Sequence, residues 1–278
     1  MTSGKQARAD RADRAAKIAA VTPKESRTKL IAGVLVAVLA VVGIGVAIWL
    51  GVRSTGSTQG QAPAGATGES GGIVVTPADR LRDGAPTVDV YEDFQCPACK
   101  QQHETLGPTL KELSDSGQIK LVYHMKNFLE KNPGMTGPAS TSSTAAANAA
   151  ACAADAGKFL PYHSALYDLQ PATEGDGYQE AALTQAATTA GITGGALDTW
   201  KQCVADGKYN GYVERVDQAS AKAGINSTPT FVSNGAKIDF QQLQISSLDE
   251  FKAALLTGGR STTLPAPAPT GASPSASK

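Results

Sequence analysis

The chain has 278 residues, and its 25 Lys and Arg balance its 25 Asp and Glu, so the formal net charge is zero. The balance conceals an asymmetry, because residues 1–29 hold eight basic against three acidic side chains, whereas residues 73–257 hold 14 against 21. The phosphates of a nucleic acid would repel so acidic a central region, and the sequence therefore argues against nucleic-acid binding.

An uncharged and almost wholly apolar segment occupies residues 30–52. About 21 helical residues at ~1.5 Å each span ~31 Å, the thickness of a bilayer core. Basic residues crowd its N-terminal side and Trp49 lies near its other end, which predicts a cytoplasmic tail at 1–29 and an extracytoplasmic location after Arg53. A cleaved secretory signal is the alternative, but its apolar core usually has only ~7–15 residues. The sequence therefore predicts a single-pass protein of the cell membrane.

Low-complexity segments flank the part of the chain that is able to fold. Residues 53–72 are mostly Gly, Ser, Thr, Ala and Gln, which is the composition of a flexible spacer. Residues 258–278 are rich in Pro, Ala and Ser, which predicts a disordered tail. Residues 73–257 are therefore the predicted folded domain, and the spacer would hold it away from the membrane.

The first half of this domain predicts a strand, a helix and a second strand. Residues 87–94 alternate and are rich in β-formers, and residues 119–125 are the next such run. A helix is predicted from Cys96 to about Ser114. It should bend near Gly107–Pro108, because proline removes a backbone hydrogen bond and clashes with the preceding turn.

The second half predicts a block of helices, a hairpin and a final helix. Ala-rich stretches with helical spacing extend from about residue 140 to 224 and end near Gly or Pro. Asn234–Gly235 suits the type I′ turn of a hairpin, because both central residues of that turn need positive φ. Ser247 is the predicted N-cap of the last helix, and Glu250 completes a capping box. Alternating strands and helices of this kind indicate an α/β fold.

Two cysteines follow the first predicted strand, in the stretch FQCPACK. A cysteine in the first turn of a helix lies among unpaired backbone N–H groups at the positive end of the helix dipole, which favours thiolate over thiol. The thiolate is both the attacking and the leaving species in disulfide exchange. Cys96 is therefore the predicted nucleophile and Cys99 the shielded resolving partner. Pro97 suits the first helical position, which leaves the N–H groups of Ala98 and Cys99 as donors to the Cys96 sulfur.

A structural staple and a metal site are the alternatives to a redox centre. A disulfide that closes so short a loop constrains the unfolded chain little, so it would add little stability. A zinc site usually needs a second close pair of Cys or His ligands, whereas Cys152 and Cys203 are single and distant. The sequence therefore favours a redox centre, with no metal and no organic cofactor. His103, His124 and His163 are interpreted as structural histidines.

The motif CPAC after a strand, together with Ser227–Thr230 (STPT) before the last hairpin, resembles the thioredoxin-fold thiol oxidoreductases. The long helical block between the two motifs is similar to that of the DsbA-like branch, with an insertion at about 138–207. The resemblance implies a thioredoxin fold and a cis peptide bond between Thr228 and Pro229 that faces the cysteines. It also implies that a substrate strand pairs with the backbone of Thr228.

The chain departs from the family pattern at two positions. Ala98 stands where the best-known oxidising members have His, so we predict a higher Cys96 pKa and a less oxidising couple than in the His form. Val90 stands where relatives often carry a buried acid, six positions before the first cysteine. Asp93 is the predicted substitute, as a proton relay for Cys99, and a solvated or helix-capping carboxylate is the alternative.

The other two cysteines, Cys152 and Cys203, lie on separate predicted helices. Pairing Cys96 with Cys99 leaves them to bond to each other, and a loop of this size would stabilise the fold by ~4 kcal/mol. A second disulfide of this kind also occurs in some actinobacterial relatives that the chain resembles. Two buried free thiols are the alternative, since a lone cysteine is often a small core residue.

These features predict an extracytoplasmic enzyme that donates the Cys96–Cys99 disulfide to exported proteins containing cysteine. The resemblance implies reoxidation by a membrane partner similar to vitamin K epoxide reductase or to DsbB. One alternative is a reductase or isomerase fed by a transmembrane electron donor, because direction depends on the reduction potential. The other alternative is a client-binding module without redox activity.

Overall fold

The computed structural model describes residues 61–131 and 143–258. The predicted basic tail at 1–29, the predicted membrane helix at 30–52 and the predicted tail beyond Gly258 lie outside these residues. Across the two described ranges, no helix has both the length and the apolar character needed to cross a bilayer.

A five-stranded sheet forms the centre of the described domain. In chain order, its strands are β1 (Ile73–Val74), β2 (Thr87–Glu92), β3 (Lys120–Met125), β4 (Thr230–Ser233) and β5 (Ala236–Lys237). Across the sheet, the order is β1-β3-β2-β4-β5. The central strand β2 pairs parallel with β3 and antiparallel with β4, while β1 and β5 pair antiparallel at the two edges. Side chains of β2 alternate between buried and half-buried positions, as the sequence pattern predicted.

Helices cover the sheet and form a block between β3 and β4. The first helix carries Pro108 in its interior, as predicted, and four helices between residues 143 and 205 lie within the predicted insertion. In chain order, the helices are α1 (Pro97–Asp115), α2 (Ser143–Asp155), α3 (Phe159–Asp168), α4 (Glu180–Thr189), α5 (Gly195–Ala205), α6 (Asn210–Lys222) and α7 (Leu248–Thr257). A short 3₁₀ turn occupies Leu129–Lys131.

The Ala-rich helix α2 lies at the centre of the helical block and is buried on nearly all sides. Small side chains allow neighbouring helices to approach its backbone, and a helix that is apolar all round is stable only in such an interior position. The Trp200 indole N–H of α5 donates to the carbonyl of Ala149 at 3.0 Å. Cys152 and Cys203 join the same two helices through a disulfide, with Cα atoms 6.0 Å apart. This is the pairing that elimination predicted.

The chain between residues 61 and 72 differs from the predicted flexible spacer, because it contacts the domain. The Tyr212 hydroxyl donates to the carbonyl of Gly71 at 2.6 Å, and Arg215 Nε donates to the carbonyl of Glu69 at 2.8 Å. A Cβ at Gly72 would lie 2.7 Å from the carbonyl oxygen of Tyr123, so only glycine permits this close approach. These contacts use backbone atoms, which a composition of Gly, Ser and Ala does not reveal.

The hairpin and the last helix agree with their sequence signals. Asn234 and Gly235 both have positive φ, at 46° and 80°, as a type I′ turn requires. The Ser247 side chain accepts from the backbone N–H of Glu250, whose carboxylate accepts in return from the Ser247 N–H. The predicted capping box is therefore confirmed.

Candidate active site

The helix α1 places Cys96 and Cys99 at the end of β2. Cys96 is the N-cap residue of α1, Pro97 follows at the first helical position, and the Cys99 N–H donates to the Cys96 carbonyl at 3.1 Å. The Cys96 and Cys99 sulfurs are not bonded to each other, so the structure represents the reduced form of the pair. Cys96 is 7% exposed and Cys99 is 2% exposed, and only the first can meet another protein at the surface.

The pKa values of the two thiols are shifted in opposite directions. The Cys99 thiol, hydrogen-bonded to the Cys96 sulfur, lowers the pKa of Cys96 to about 6, with help from the Thr228 side chain and the N–H groups of Cys99 and Ala98. The two amides are the donors that the sequence predicted. Burial raises the pKa of Cys99 well above its ordinary value. Cys96 is therefore a thiolate at neutral pH while Cys99 keeps its proton.

The loop before β4 lies opposite Cys96 and contains a cis peptide bond between Thr228 and Pro229. The Cys96 sulfur lies 3.6 Å from the carbonyl oxygen of Thr228. Thr230 Oγ1 donates to the Ser227 carbonyl at 2.9 Å and closes this turn. The cis bond and the position opposite the cysteines are those that the resemblance implied.

The helical insertion holds the loop that carries Cys96. Gln170 Nε2 donates to the carbonyl of Phe94 at 2.7 Å and to that of Cys96 at 3.0 Å. The Tyr178 hydroxyl donates to the same Phe94 carbonyl at 2.9 Å. The sequence did not predict these two donors, because no local pattern marks a side chain that binds a carbonyl more than 70 residues away.

Asp93 is fully buried, and its carboxylate holds the chain around the active site. Oδ1 accepts from the Gln95 N–H at 3.0 Å and Oδ2 accepts from the Leu129 N–H at 3.2 Å. Burial raises the pKa of Asp93 to about 7. Since both oxygens bind backbone groups, the structure gives Asp93 a loop-holding role, and its role as proton relay for Cys99 stays a prediction.

A second acid, Glu92, lines the same small cavity as the resolving cysteine. It is 4% exposed, and it lines a cavity of about 10 Å³ together with Cys99, Tyr123 and Pro229. Of the two acids near the cysteines in the sequence, Asp93 rather than Glu92 was the predicted functional residue, although a signal for Glu92 was present. Strand alternation places Glu92 on the same buried face of β2 as Val88 and Val90.

The three histidines have different surroundings. His163 of α3 is 1% exposed, and its Nε2 is hydrogen-bonded to Glu92 Oε1. The ring of His103 stacks on Tyr167, and burial lowers the pKa of His103 to about 4. His124 lies on the opposite face of the sheet from Glu92. Its Nε2 is 2.8 Å from Asp89 Oδ1, and its ring stacks on Tyr91. Within residues 61–131 and 143–258, no three His, Cys, Asp or Glu side chains are grouped as metal ligands would be.

A thiolate-favouring Cys-x-x-Cys pair that faces a cis-proline on this sheet defines the class of thiol-disulfide oxidoreductases. A family model described as Thioredoxin matches residues 82–255, and the chain therefore belongs to the thioredoxin family. A curated relative, the Na(+)/H(+) antiporter NhaA 3 of Salinispora tropica, is 29% identical over 245 residues, which cover 82% of this chain. The match covers 34% of that relative, so the chain spans about a third of its length.

Solved structures that are similar to this chain include three bacterial proteins. Reduced DsbA from Mycobacterium tuberculosis is 30% identical, with 67% of this chain and 98% of that chain covered and a TM-score of 0.49. BdbD from Bacillus subtilis is 25% identical, with 71% and 100% covered and a TM-score of 0.51. MdbA, a thiol-disulfide oxidoreductase from Actinomyces oris, is 20% identical, with 72% and 97% covered and a TM-score of 0.56. The chain therefore resembles the DsbA-like thiol-disulfide oxidoreductases within the thioredoxin family.

Proposed function

We propose that this enzyme donates its Cys96–Cys99 disulfide to exported proteins that contain cysteine. The observation that carries the proposal is the position of Cys96 at the start of α1, 3.6 Å from the Thr228 carbonyl, where the Cys99 thiol and the nearby amides lower its pKa to about 6. A thiol of low pKa leaves readily from a mixed disulfide, and a stabilised thiolate favours the reduced enzyme over its disulfide. Both effects direct the disulfide toward the substrate.

The reaction is two successive exchanges. A substrate thiolate attacks the Cys96 sulfur, a bond forms between the two, and Cys99 leaves with the electron pair of the broken disulfide and takes up a proton. A second substrate thiolate then attacks the substrate sulfur of the mixed disulfide, and Cys96 leaves as a thiolate. The substrate loses two electrons and gains a disulfide, and the enzyme becomes the dithiol seen in the structure.

Substrate recognition would use the backbone beside the cis-proline. The Thr228 carbonyl lies next to the Cys96 sulfur, where an extended substrate segment could add to the edge of the loop through main-chain hydrogen bonds. Such pairing depends little on side chains. It suits an enzyme that must accept many unfolded partners.

The extracytoplasmic location and the membrane anchor are part of the same proposal. The apolar segment at 30–52 and the basic residues before it support a single-pass anchor with the domain outside. Reoxidation would come from a quinone-linked membrane protein similar to vitamin K epoxide reductase or to DsbB. Such a protein would accept two electrons from the Cys96–Cys99 dithiol.

Oxidation of a reduced, unfolded protein by the full-length chain in detergent micelles tests the activity. The oxidised enzyme should restore disulfides and activity to reduced ribonuclease, and Cys96→Ser should abolish this. Equal activity of Cys96→Ser and wild type would favour the client-binding alternative. The redox state of Cys96 in cells, measured by thiol alkylation, decides direction: a mostly oxidised pair supports the donor, and a mostly reduced pair supports the reductase or isomerase.

A further inference from the structure

A buried lysine contacts both halves of the active site. Lys126 follows the last residue of β3 and is 2% exposed. Its backbone N–H donates to the Glu92 carbonyl at 2.7 Å, at the end of the strand that leads to Cys96. Its side-chain ammonium donates to the Ile225 carbonyl at 3.0 Å, three residues before Thr228. Because β2 and β3 are parallel neighbours, Lys126 lies at the edge of the sheet where Cys96 also lies.

An acidic side chain of α6 holds this ammonium in place. Asp217 is buried, and its Oδ1 lies 3.1 Å from Lys126 Nζ. Its Oδ2 accepts from Lys131 Nζ at 2.9 Å, and the half-exposed Lys131 also pairs with Glu214. The Lys126 ammonium lies 5.6 Å from the centre of the Phe128 ring. A carbonyl, a carboxylate and an aromatic face therefore surround the charge, as a buried charge requires.

Stability alone is a poor reason for an ion pair at this position. Taking a lysine and an aspartate out of water costs free energy, and packed apolar side chains can often replace such a pair without loss of stability. An apolar side chain cannot supply the directed hydrogen bond to the Ile225 carbonyl. The burial of Lys126 therefore points to a requirement on the position of that carbonyl.

The Ile225 carbonyl begins the short loop that places Thr228 opposite Cys96. The Ile225 N–H donates to a carbonyl in the last turn of α6 at 2.9 Å, so this residue is fixed to α6 on one side and to Lys126 on the other. Only two residues separate it from Thr228. A shift of the Ile225 carbonyl would therefore be transmitted to the Thr228 carbonyl, which lies 3.6 Å from the Cys96 sulfur.

We propose that Lys126 is a positioning residue that sets the distance between the Thr228 carbonyl and the Cys96 sulfur, with Asp217 holding its ammonium. The proposal rests on the proposed disulfide donation, in which an extended substrate pairs with the backbone of Thr228. Lys126 acts on that pairing through the Ile225 carbonyl. Its loss should therefore weaken the binding of polypeptide substrates more than it slows the exchange of sulfur partners.

The position of the same loop also affects the ionisation of Cys96. After the Cys99 thiol, the Thr228 side chain is among the groups that lower the pKa of Cys96 to about 6. If the loop moves away, this contribution decreases and the pKa rises. Loss of the positive charge of Lys126 would by itself also raise the pKa. A variant that removes Asp217 as well keeps the net charge, so it separates the two effects.

Steady-state oxidation of a peptide with two cysteines by the full-length chain in detergent micelles, with oxidised glutathione as terminal oxidant, tests the role of Lys126. Lys126→Met should raise the KM for the peptide about tenfold, as expected for one or two lost main-chain hydrogen bonds, and leave kcat within about twofold. The rate with dithiothreitol, which is too small to pair with the loop, should change by less than about twofold. Thiolate absorbance against pH should show a raised Cys96 pKa.

Lys131→Met is the matched control. It removes a lysine that also pairs with Asp217, but the recorded contacts of its ammonium are with α6 and not with the loop. Peptide KM and Cys96 pKa should keep their wild-type values in this variant. Equal changes in Lys131→Met and Lys126→Met would show that the charge of the cluster matters and would overturn the positioning role.

A double variant separates positioning from folding. Lys126→Met alone leaves a buried carboxylate without one of its partners and lowers stability, whereas Lys126→Met/Asp217→Leu removes both charges and should be about as stable as wild type. The raised KM and the raised pKa should persist in the double variant. Wild-type values of both would overturn the positioning role and leave the proposed function standing. A wild-type enzyme that does not oxidise the peptide would overturn the proposed function, and the Cys96 pKa of the variants would still decide the positioning role.

Discussion

The sulfur of Cys96 lies 3.6 Å from the carbonyl oxygen of Thr228, across a cis peptide bond that brings the loop before β4 against the start of α1. This approach brings the reacting atom and the backbone that would bind a substrate strand into one small area of surface. Cys99 lies behind it, 2% exposed, so a mixed disulfide would be attacked from the interior while the substrate stays outside.

Ala98→His should lower the pKa of Cys96 further and make the couple more oxidising. An imidazolium between the two cysteines would add a positive charge beside the thiolate, and a charge of this kind favours the ionised form. Thiolate absorbance against pH measures the pKa, and equilibration with glutathione measures the potential. Ala98→Gln, which adds bulk without charge, is the control. An unchanged pKa in Ala98→His would show that the residue between the cysteines does not tune the sulfur.

The reduced enzyme should gain stability over the oxidised enzyme as pH rises. The folded pKa of Cys96 is about 6 against an ordinary value of 9.0, so the thiolate stabilises the folded state above pH 9 and this contribution is lost as pH falls through about 6. The full effect corresponds to about 4 kcal/mol. Thermal unfolding of both redox forms between pH 4.5 and pH 9 measures the difference. Cys96→Ser, which has no thiolate at this position, should lack the gain in stability that the reduced wild type shows as pH rises.

Asp93 should give the oxidised enzyme the opposite pH dependence. Its folded pKa is raised from 3.8 to about 7, so its contribution is fully present below about pH 4 and is lost as pH rises through 7. The loss amounts to about 4 kcal/mol at most. Chemical denaturation of the oxidised form measures it, because no Cys96 thiolate is present there. Asp93→Asn should flatten the slope, whereas the exposed Asp83→Asn should keep it.

Loss of the disulfide between α2 and α5 should lower stability without removing the chemistry. A bond that closes a loop of 51 residues stabilises by about 4 kcal/mol in the chain-entropy account. The double variant Cys152→Ala/Cys203→Ala should lose about that much in denaturant unfolding. It should still oxidise dithiols at temperatures where it is folded. A variant as stable as wild type would show that packing around α2 suffices.

Substitution of Gln170 should lower the free energy of unfolding more than substitution of Tyr178, although both side chains donate to the Phe94 carbonyl. Tyr178→Phe leaves the Phe94 carbonyl bound to Gln170, so we expect a loss of about 1 kcal/mol. Gln170→Leu removes a donor from each of the Phe94 and Cys96 carbonyls and should lower the free energy of unfolding by about 1–3 kcal/mol. Denaturation of both single variants and the double variant gives their coupling. Strict additivity would mean that the two side chains do not hold the loop jointly.

The sequence was sufficient for features that depend on near neighbours. Alternation defined β2, the Asn234–Gly235 pair defined the hairpin, and Ser247 with Glu250 defined the start of α7. Much of the nucleophilic character of Cys96 also follows from its position at a helix start, because the Cys99 thiol one turn further on and the amides of Cys99 and Ala98 lower its pKa. Each of these rests on atoms within one turn or one strand pair.

The contacts that shape the rest of the active site join residues far apart in the chain. Glu92 and His163 are 71 residues apart, Phe94 and Gln170 are 76 apart, and Gly71 and Tyr212 are 141 apart. The sequence showed that Glu92 lies on the buried face of a strand, but not which side chain would meet it. Likewise, it selected Asp93 as the acid near the cysteines, whereas the fold turned that carboxylate toward backbone amides.

The amino-acid order by itself thus determined the elements, the reactive cysteine and the membership of a disulfide-exchanging class. Only the packed structure decided which acid lines a cavity with Cys99, which insertion side chains hold Cys96, and that residues 61–72 lie against the domain. The physical reason is that periodicity, caps and helix dipoles act over a few residues. The partner of a buried polar group is fixed by how whole elements pack.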